Sequence, residues 1–276
     1  MLIEHLFDFE LNATMLTLID LENYPTGQPY SDAYRSLVDR CQKDLERAGM
    51  FNLEGFPRPH ACRAAVDKIQ PVMAIDSYTH RRRHNVYFLD AVLGLEPNHS
   101  ALVQVETVNH TVCADQIENS AVIKVYEYPP LIQFLANTMN KTMLYLMDDP
   151  LARINVMSYR ENEALNWHFD RSEFTTTLLL QAPKGAGEFQ YRTGLRTDHD
   201  PNYDGVARLL DGDDPKMKTL RLKAGTLSVF RGKNTAHRIT PVVGSRERMI
   251  AVFSYYEHPG KFFSEEEQLG FYGRTM

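Results

Sequence analysis

From residue 152 onward the chain breaks into short segments rich in β-branched and aromatic residues: ARINVMSYR, FTTTLLLQA, GEFQYRT, TLRLK, GTLSVFRG, AHRITPVV and RERMIAVFSYYE. Glycine, proline, asparagine or aspartate separates each from the next. Such a run predicts antiparallel strands that close into a barrel or a double-sheet jelly roll.

The first half reads differently. YPTGQPYSD is a loop that ends on Ser31 or Asp32 as a helix cap. Tyr34, Leu37, Val38, Cys41 and Leu45 then recur at helical spacing until Gly49. MFNLEGF reads as a strand, residues 60–75 as helical up to Pro71, and THRRRHNVYFL as extended. LTLIDL is a short strand or a helix start, and residues 95–120 are polar and fit no pattern well. Residues 129–147 fit a second long helix with proline at its first positions. The expectation is one domain over 1–276: a helix-rich part to 150, a β core over 151–260 and a tail over 261–276.

Composition narrows the partners. A net charge of −6 and a pI near 5.9 argue against phosphate neutralisation, hence against nucleic acid, and Arg81-Arg82-Arg83 is too short a cluster to change that. Cys41, Cys62 and Cys113 have no CxxC spacing, which predicts neither a disulfide framework nor a structural zinc site and suits a reducing cytoplasm. The N-terminus MLIEHLFDFELN carries acids where a signal peptide would carry Lys or Arg. No apolar run is long enough to span a bilayer. Oligomeric state is not readable.

Within the strand-rich half, His168 and Asp170 stand two apart in NWHFDRSEFTTTLLL, so an extended backbone turns both to one face and Phe169 to the other. The pair is equally an ordinary hydrogen-bonded couple, and chance alone yields roughly one such spacing in a chain of this composition. Context decides. His237 follows a turn after GTLSVF, and Arg248 lies ten residues beyond it, sharing a face with Ile250, Val252 and Ser254. That face is assigned to the interior, where a guanidinium is costly without an anion. Two histidines and one carboxylate are the facial ligand set of non-haem Fe(II) oxygenases, which leaves three positions open for a bidentate 2-oxo acid and dioxygen. The far end of such an acid needs a cation, which Arg248 can supply.

On these residues the chain resembles the Fe(II)/2-oxoglutarate-dependent oxygenases. NWHFDRSEFTTTLLLQAPKGAGEFQY and GTLSVFRGKNTAHRITPVVGSRERMIAVFSYYEHPG resemble the clade of free-amino-acid hydroxylases and free-lysine radical halogenases, over roughly residues 152–260. The resemblance implies a double-stranded β-helix, mainly β with flanking N-terminal helices. It implies iron on His168, Asp170 and His237, with 2-oxoglutarate on Arg248 and O2 as oxidant. The halogenases of the clade have Gly where this chain has Asp170, so the resemblance points to hydroxylation of a small polar metabolite, a free amino acid first. It also suggests a substrate-carboxylate clamp among Arg81–Arg83, with Arg82 and His84 as candidates, while the residues themselves read at least as well as a solvated edge strand that carries its charges to water.

Other residues carry weaker signals. Arg246 is the rival anchor, but it sits nearer the turn. Trp167 is a core plug or a wall of the substrate pocket. Tyr159, Thr176 and Ser254 are hydroxyls available to the oxo acid, although strand hydroxyls usually face a neighbouring strand. His60, His80, His99, His110 and His199 read as surface or satisfied core, and DGDDPK as a solvated loop. Residues 194–218 read as a lid over the barrel mouth. Desaturation or ring closure on the same iron, a peptide hydroxylase, a non-catalytic metal-binding barrel and zinc hydrolysis stay open, though the last leaves the interior arginine unexplained.

Overall fold

The computed structural model describes residues 13–276; the acidic N-terminal segment considered above lies outside them. Helix α1 (Asp32–Ala48) is capped by Ser31, whose hydroxyl accepts the Tyr34 N–H, and it stops at Gly49 with φ 70°. Its five buried residues are the five picked out by spacing. Helix α2 (Pro59–Asp76) runs through Pro71 instead of ending there. An interior proline costs about 3 kcal/mol, and burial of Ile69 and Met73 on either side of it offsets that cost.

Short α3 (Ala121–Tyr126) precedes α4 (Pro129–Thr138). The long helix expected over 129–147 therefore ends early. Asn140 adopts a left-handed φ of 55°, and the chain turns into β4 (Tyr145–Leu146), which pairs with β13 (Tyr255–Tyr256).

Two antiparallel sheets form the body. The larger has the order β1 (Met50–Leu53), β10 (Thr226–Phe230), β7 (Thr175–Gln181), β12 (Arg248–Phe253), β5 (Ile154–Tyr159), β3 (Val105–Cys113), β2 (Tyr78–His84). The smaller runs β6 (Leu165–His168), β11 (Ala236–Ile239), β8 (Phe189–Arg192), β9 (Lys218–Leu220). Three strands of the larger sheet come from the first 150 residues, so that part is not simply helical. One of them, β3, occupies the stretch that fitted no pattern.

The larger sheet has two unlike faces. Leu178, Leu180, Leu227, Val229, Met249, Ala251 and Phe253 point outward and join one apolar core with the buried faces of α1 to α4. Their neighbours Thr175, Thr177, Ser228, Arg248, Ile250 and Val252 point inward by the period of two. Arg248 is buried as expected, whereas Ile250 and Val252 are only half-buried, because they face the barrel interior and not the helices.

The segment 194–218 carries α5 (Tyr203–Leu210) and is stitched down. The Leu195 N–H donates to the Asn234 carbonyl at 3.1 Å, and the Ser100 hydroxyl donates to Asp211 at 3.0 Å. The C-terminal stretch is not a loose tail. It forms α6 (Glu265–Tyr272), held by a Ser264–Glu267 capping box and by the Tyr272 hydroxyl on Asn155 at 2.9 Å. No helix among the described residues is long and apolar enough to cross a membrane.

Candidate metal centre and active site

Strand β11 pairs with β6 so that His237 lies directly opposite His168. Asp170 follows two residues after His168, just beyond the end of β6. The three side chains converge, with potential ligand atoms all within 4.8 Å of one another. Among the described residues this is the one group of three or more His, Cys, Asp or Glu side chains so placed. Asp170 Oδ1 is 3.4 Å from His168 Nε2, and its Oδ2 is 3.5 Å from His237 Nε2.

The backbone selects the tautomer of both rings. His168 Nδ1 donates to the Asn166 carbonyl at 2.8 Å, and His237 Nδ1 donates to the Thr235 carbonyl at 3.0 Å. Each Nε2 lone pair is therefore free for a metal. Burial lowers His237 to about 4, helped by His168 and opposed by Asp170, so the ring is neutral near pH 7. Burial alone would raise the Asp170 carboxyl; the two facing histidines and the Thr175 hydroxyl outweigh it and hold the group below the ordinary carboxylate range. Two imidazoles with their Nε2 atoms turned to one point, and one carboxylate, fit an open-sided divalent metal site.

Arg248 is 1% exposed, and burial pulls its guanidinium down to about 10, against the Tyr159 phenol on the neighbouring strand. It makes no hydrogen bond or ion pair with a described residue, and its Nε is buried without a partner. A buried cation in that position is costly until an anion meets it. Arg246 is exposed in the turn. Tyr159 is buried directly across from Arg248 in the β12–β5 register, and its hydroxyl meets only the Met157 sulfur, at 3.7 Å.

Two hydroxyls named from sequence stand elsewhere. Thr176 belongs to the outward set of β7, beside Phe253, while Thr175 and Thr177 face inward. Ser254 donates to the Ala152 carbonyl at 3.1 Å. Counting by two from Leu178 and Leu180, both plainly core residues, would have chosen Thr175 and Thr177.

β2 is one of the two edge strands of the larger sheet, and its arginines divide as alternation requires. Arg81 pairs outward with Glu106 at 2.7 Å, and Arg83 reaches the Gln104 carbonyl. Arg82 turns inward, half-buried, with a buried unpartnered Nε. Its guanidinium lies 4.6 Å over the Phe88 ring and 6.0 Å from that of Phe271.

His84 is buried, 6.4 Å ring to ring from His168, and stacks on Phe88 at 4.6 Å. Both its nitrogens are engaged, by Asn85 O and Thr107 Oγ1, so it forms a wall with no free hydrogen-bonding atom. Sequence reasoning missed Phe88. Its left-handed φ of 57°, uncommon for an aromatic residue, holds the ring between Arg82 and His84.

Trp167 is on the opposite face from His168. It packs with Phe169, Leu195, Val206, Leu209 and Ala236, with the Arg238 guanidinium 4.9 Å from its ring. The structure does not bring it to the metal face. The same cluster roots the 194–218 segment behind the ligands. His110 is satisfied core between Thr79 and Glu163, and His60 and His199 are exposed.

Comparison with solved structures gives the fold a lineage. The α-ketoglutarate-dependent epimerase SnoN of nogalamycin biosynthesis has 15% sequence identity and a TM-score of 0.55, with 80% of this chain and 81% of that one covered. HygX from Streptomyces hygroscopicus, solved with nickel and 2-oxoglutarate, has 10% identity and a TM-score of 0.52, covering 78% and 85%. A 2OG-Fe(II) oxygenase family protein from Burkholderia pseudomallei has 13% identity and a TM-score of 0.50, covering 81% and 92%. At these identities the likeness is one of fold. A search of curated proteins found no match. The family model described as Halogenase D matches residues 35–261, which include both histidines, Asp170 and Arg248. By that match, the chain belongs to the Halogenase D family.

Proposed function

We propose that this protein is an Fe(II)- and 2-oxoglutarate-dependent hydroxylase of a small polar metabolite, with a free amino acid as the first candidate. The observation that carries the reading is Arg248. A fully buried guanidinium without an anion, sharing a barrel with His168, Asp170 and His237, is what a bidentate 2-oxo acid with a distal carboxylate would complete. Iron and 2-oxoglutarate, when bound, supply the oxidation of an unactivated C–H by O2, with succinate and carbon dioxide as co-products.

The chain's own residues do the rest. His168, Asp170 and His237 hold the metal, with both rings fixed by backbone carbonyls. Arg248 grips the distal carboxylate, and the Tyr159 hydroxyl, which lacks a strong partner, stands ready beside it. Phe230 and Phe189 lie 4.8 and 5.7 Å from the His237 ring and keep water off that side. Arg82, unpartnered beside the Phe88 ring, takes a substrate carboxylate.

The family's name raises halogenation as the rival chemistry. Asp170 weighs against it, because its carboxylate fills the third protein position at the metal, and a halide ligand would need that position vacant.

The test is to load the protein anaerobically with iron, then add 2-oxoglutarate, oxygen, chloride and a panel of amino acids. Succinate release stimulated by one of them, with a product heavier by one oxygen, is the expected result. A chlorinated product would overturn the hydroxylase reading. Failure of 2-oxoglutarate to bind the metal-loaded protein would overturn the whole proposal.

A further inference from the structure

Asp170 stands just past the end of β6, so no strand ladder fixes its side chain. Three contacts do. Its N–H donates to the Gly232 carbonyl at 3.1 Å. The Thr175 hydroxyl, at the start of β7, donates to its Oδ2 at 2.5 Å. Gly232 itself lies flat against both side chains: a Cβ there would collide with Thr175 Oγ1 and would sit 2.5 Å from Asp170 Oδ2 and 2.8 Å from Asp170 Cβ. The last of those atoms adjoins the backbone and cannot swing aside. Gly232 is also absent from the positive-φ glycines, so its backbone does not require glycine. Space for the carboxylate and for the Thr175 hydroxyl that bonds it is the reason left.

We propose that Thr175 and Gly232 are positioning residues that make Asp170 a metal ligand: one steers the carboxylate by a hydrogen bond, the other leaves the room it occupies. The inference rests on the metal-centre reading. It adds that the ligand set is incomplete as three residues, because the carboxylate plane is set from β7 and from the turn before β11. Hydrogen-bond partners of metal ligands typically change metal affinity 10- to 100-fold when removed.

The test needs no turnover. Metal-free protein is titrated with Co(II), following both the visible absorption of the bound ion and its dissociation constant. Thr175→Val keeps the shape of the side chain and removes the donor. It is expected to weaken Co(II) binding roughly 10- to 100-fold and alter the spectrum, with the unfolding temperature of the metal-free protein little changed. Thr175→Ser restores the hydroxyl and is expected to return both readouts close to wild type. Gly232→Ala is expected to weaken binding at least as much.

Wild-type affinity and spectrum in Thr175→Val would overturn the role of Thr175. Binding in Thr175→Ser as weak as in Thr175→Val would show that the hydroxyl alone does not set the carboxylate, and would overturn it equally. Asp170→Ala is the control. If it weakens binding while Thr175→Val and Gly232→Ala do not, this inference fails alone. If it leaves binding unchanged, the metal centre fails too.

Discussion

The two faces of the seven-stranded sheet are made by alternate residues of the same strands, yet they differ in completeness. On the outward face Leu178, Leu180, Met249, Ala251 and Phe253 meet the helices and are satisfied by the chain itself. On the inward face Thr175, Thr177, Tyr159, Arg248 and Arg82 gather polar groups, and two guanidiniums there have no hydrogen-bond or ionic partner among the described residues. The first face needs nothing further. On the proposed reading, the second is finished by what binds to it. A substitution on one face should therefore register as stability and on the other as binding.

The largest effect is expected from Arg248→Leu. A buried charge pair that loses one member forfeits about 2–5 kcal/mol of binding, so the apparent KM for 2-oxoglutarate should rise by orders of magnitude in steady-state kinetics. The unfolding temperature of the ligand-free protein should hold or rise, because an unpaired buried cation is replaced by an apolar side chain. A marked fall in that temperature would mean that Arg248 serves the fold.

Next comes the opposite case. Leu178→Ala removes a side chain that is 1% exposed. It should cost about 2–5 kcal/mol of stability, which calorimetry would read as a drop in Tm of roughly 5–15 °C. The 2-oxoglutarate KM of the folded fraction should stay within about twofold of wild type. A large change in KM would show that the faces are coupled.

Arg82→Leu is expected to be milder. Charge-assisted hydrogen bonds contribute about 1.5–3 kcal/mol, so the KM for the organic substrate should rise roughly 10- to 150-fold while that for 2-oxoglutarate stays put. An equal rise in both would place Arg82 on the co-substrate.

The same contrast explains what could be read without coordinates. Outward residues advertise themselves: the apolar spacing of α1 matched its buried set, and the apolar runs of β7, β10 and β12 lay where expected. The inward centre was legible only through chemistry, as HxD, a distant histidine and an arginine that had no business in a core. β3 was illegible because its inward residues Thr107, Asn109 and Thr111 are polar, so a strand lining the interior looked like a loop. The overlong helix had a stop signal in Asn140, a residue type that tolerates the left-handed conformation. Phe88 and Gly232 carried no signal, since what matters about them is which neighbours the fold delivers.

The smallest effect comes from protons on the inward face. His80 and His84 share one side of β2, and both are lowered to about 4. For His80 the causes are burial and then Arg82, opposed by a bond to Asn109. For His84 burial leads, the bond to the Asn85 carbonyl opposes it, and Arg82, His168 and His80 lower it further. Since the ordinary value is 6.5, the unfolded chain takes up these protons first as the pH falls. Stability is then fully present above about 6.5 and is lost progressively towards 4. His84 is buried but His80 is only half-buried, so the summed loss should be modest. The Tm of the metal-free protein should fall by a few degrees between pH 7 and 5, and the slope should shrink in His80→Gln. Arg82→Leu should also reduce it, because removing the nearby cation lets both rings protonate in the folded state at higher pH. A Tm that is flat across this window would show that the inward face accepts protons as readily as water does, and would take with it the idea that Arg82 is held there as an uncompensated charge.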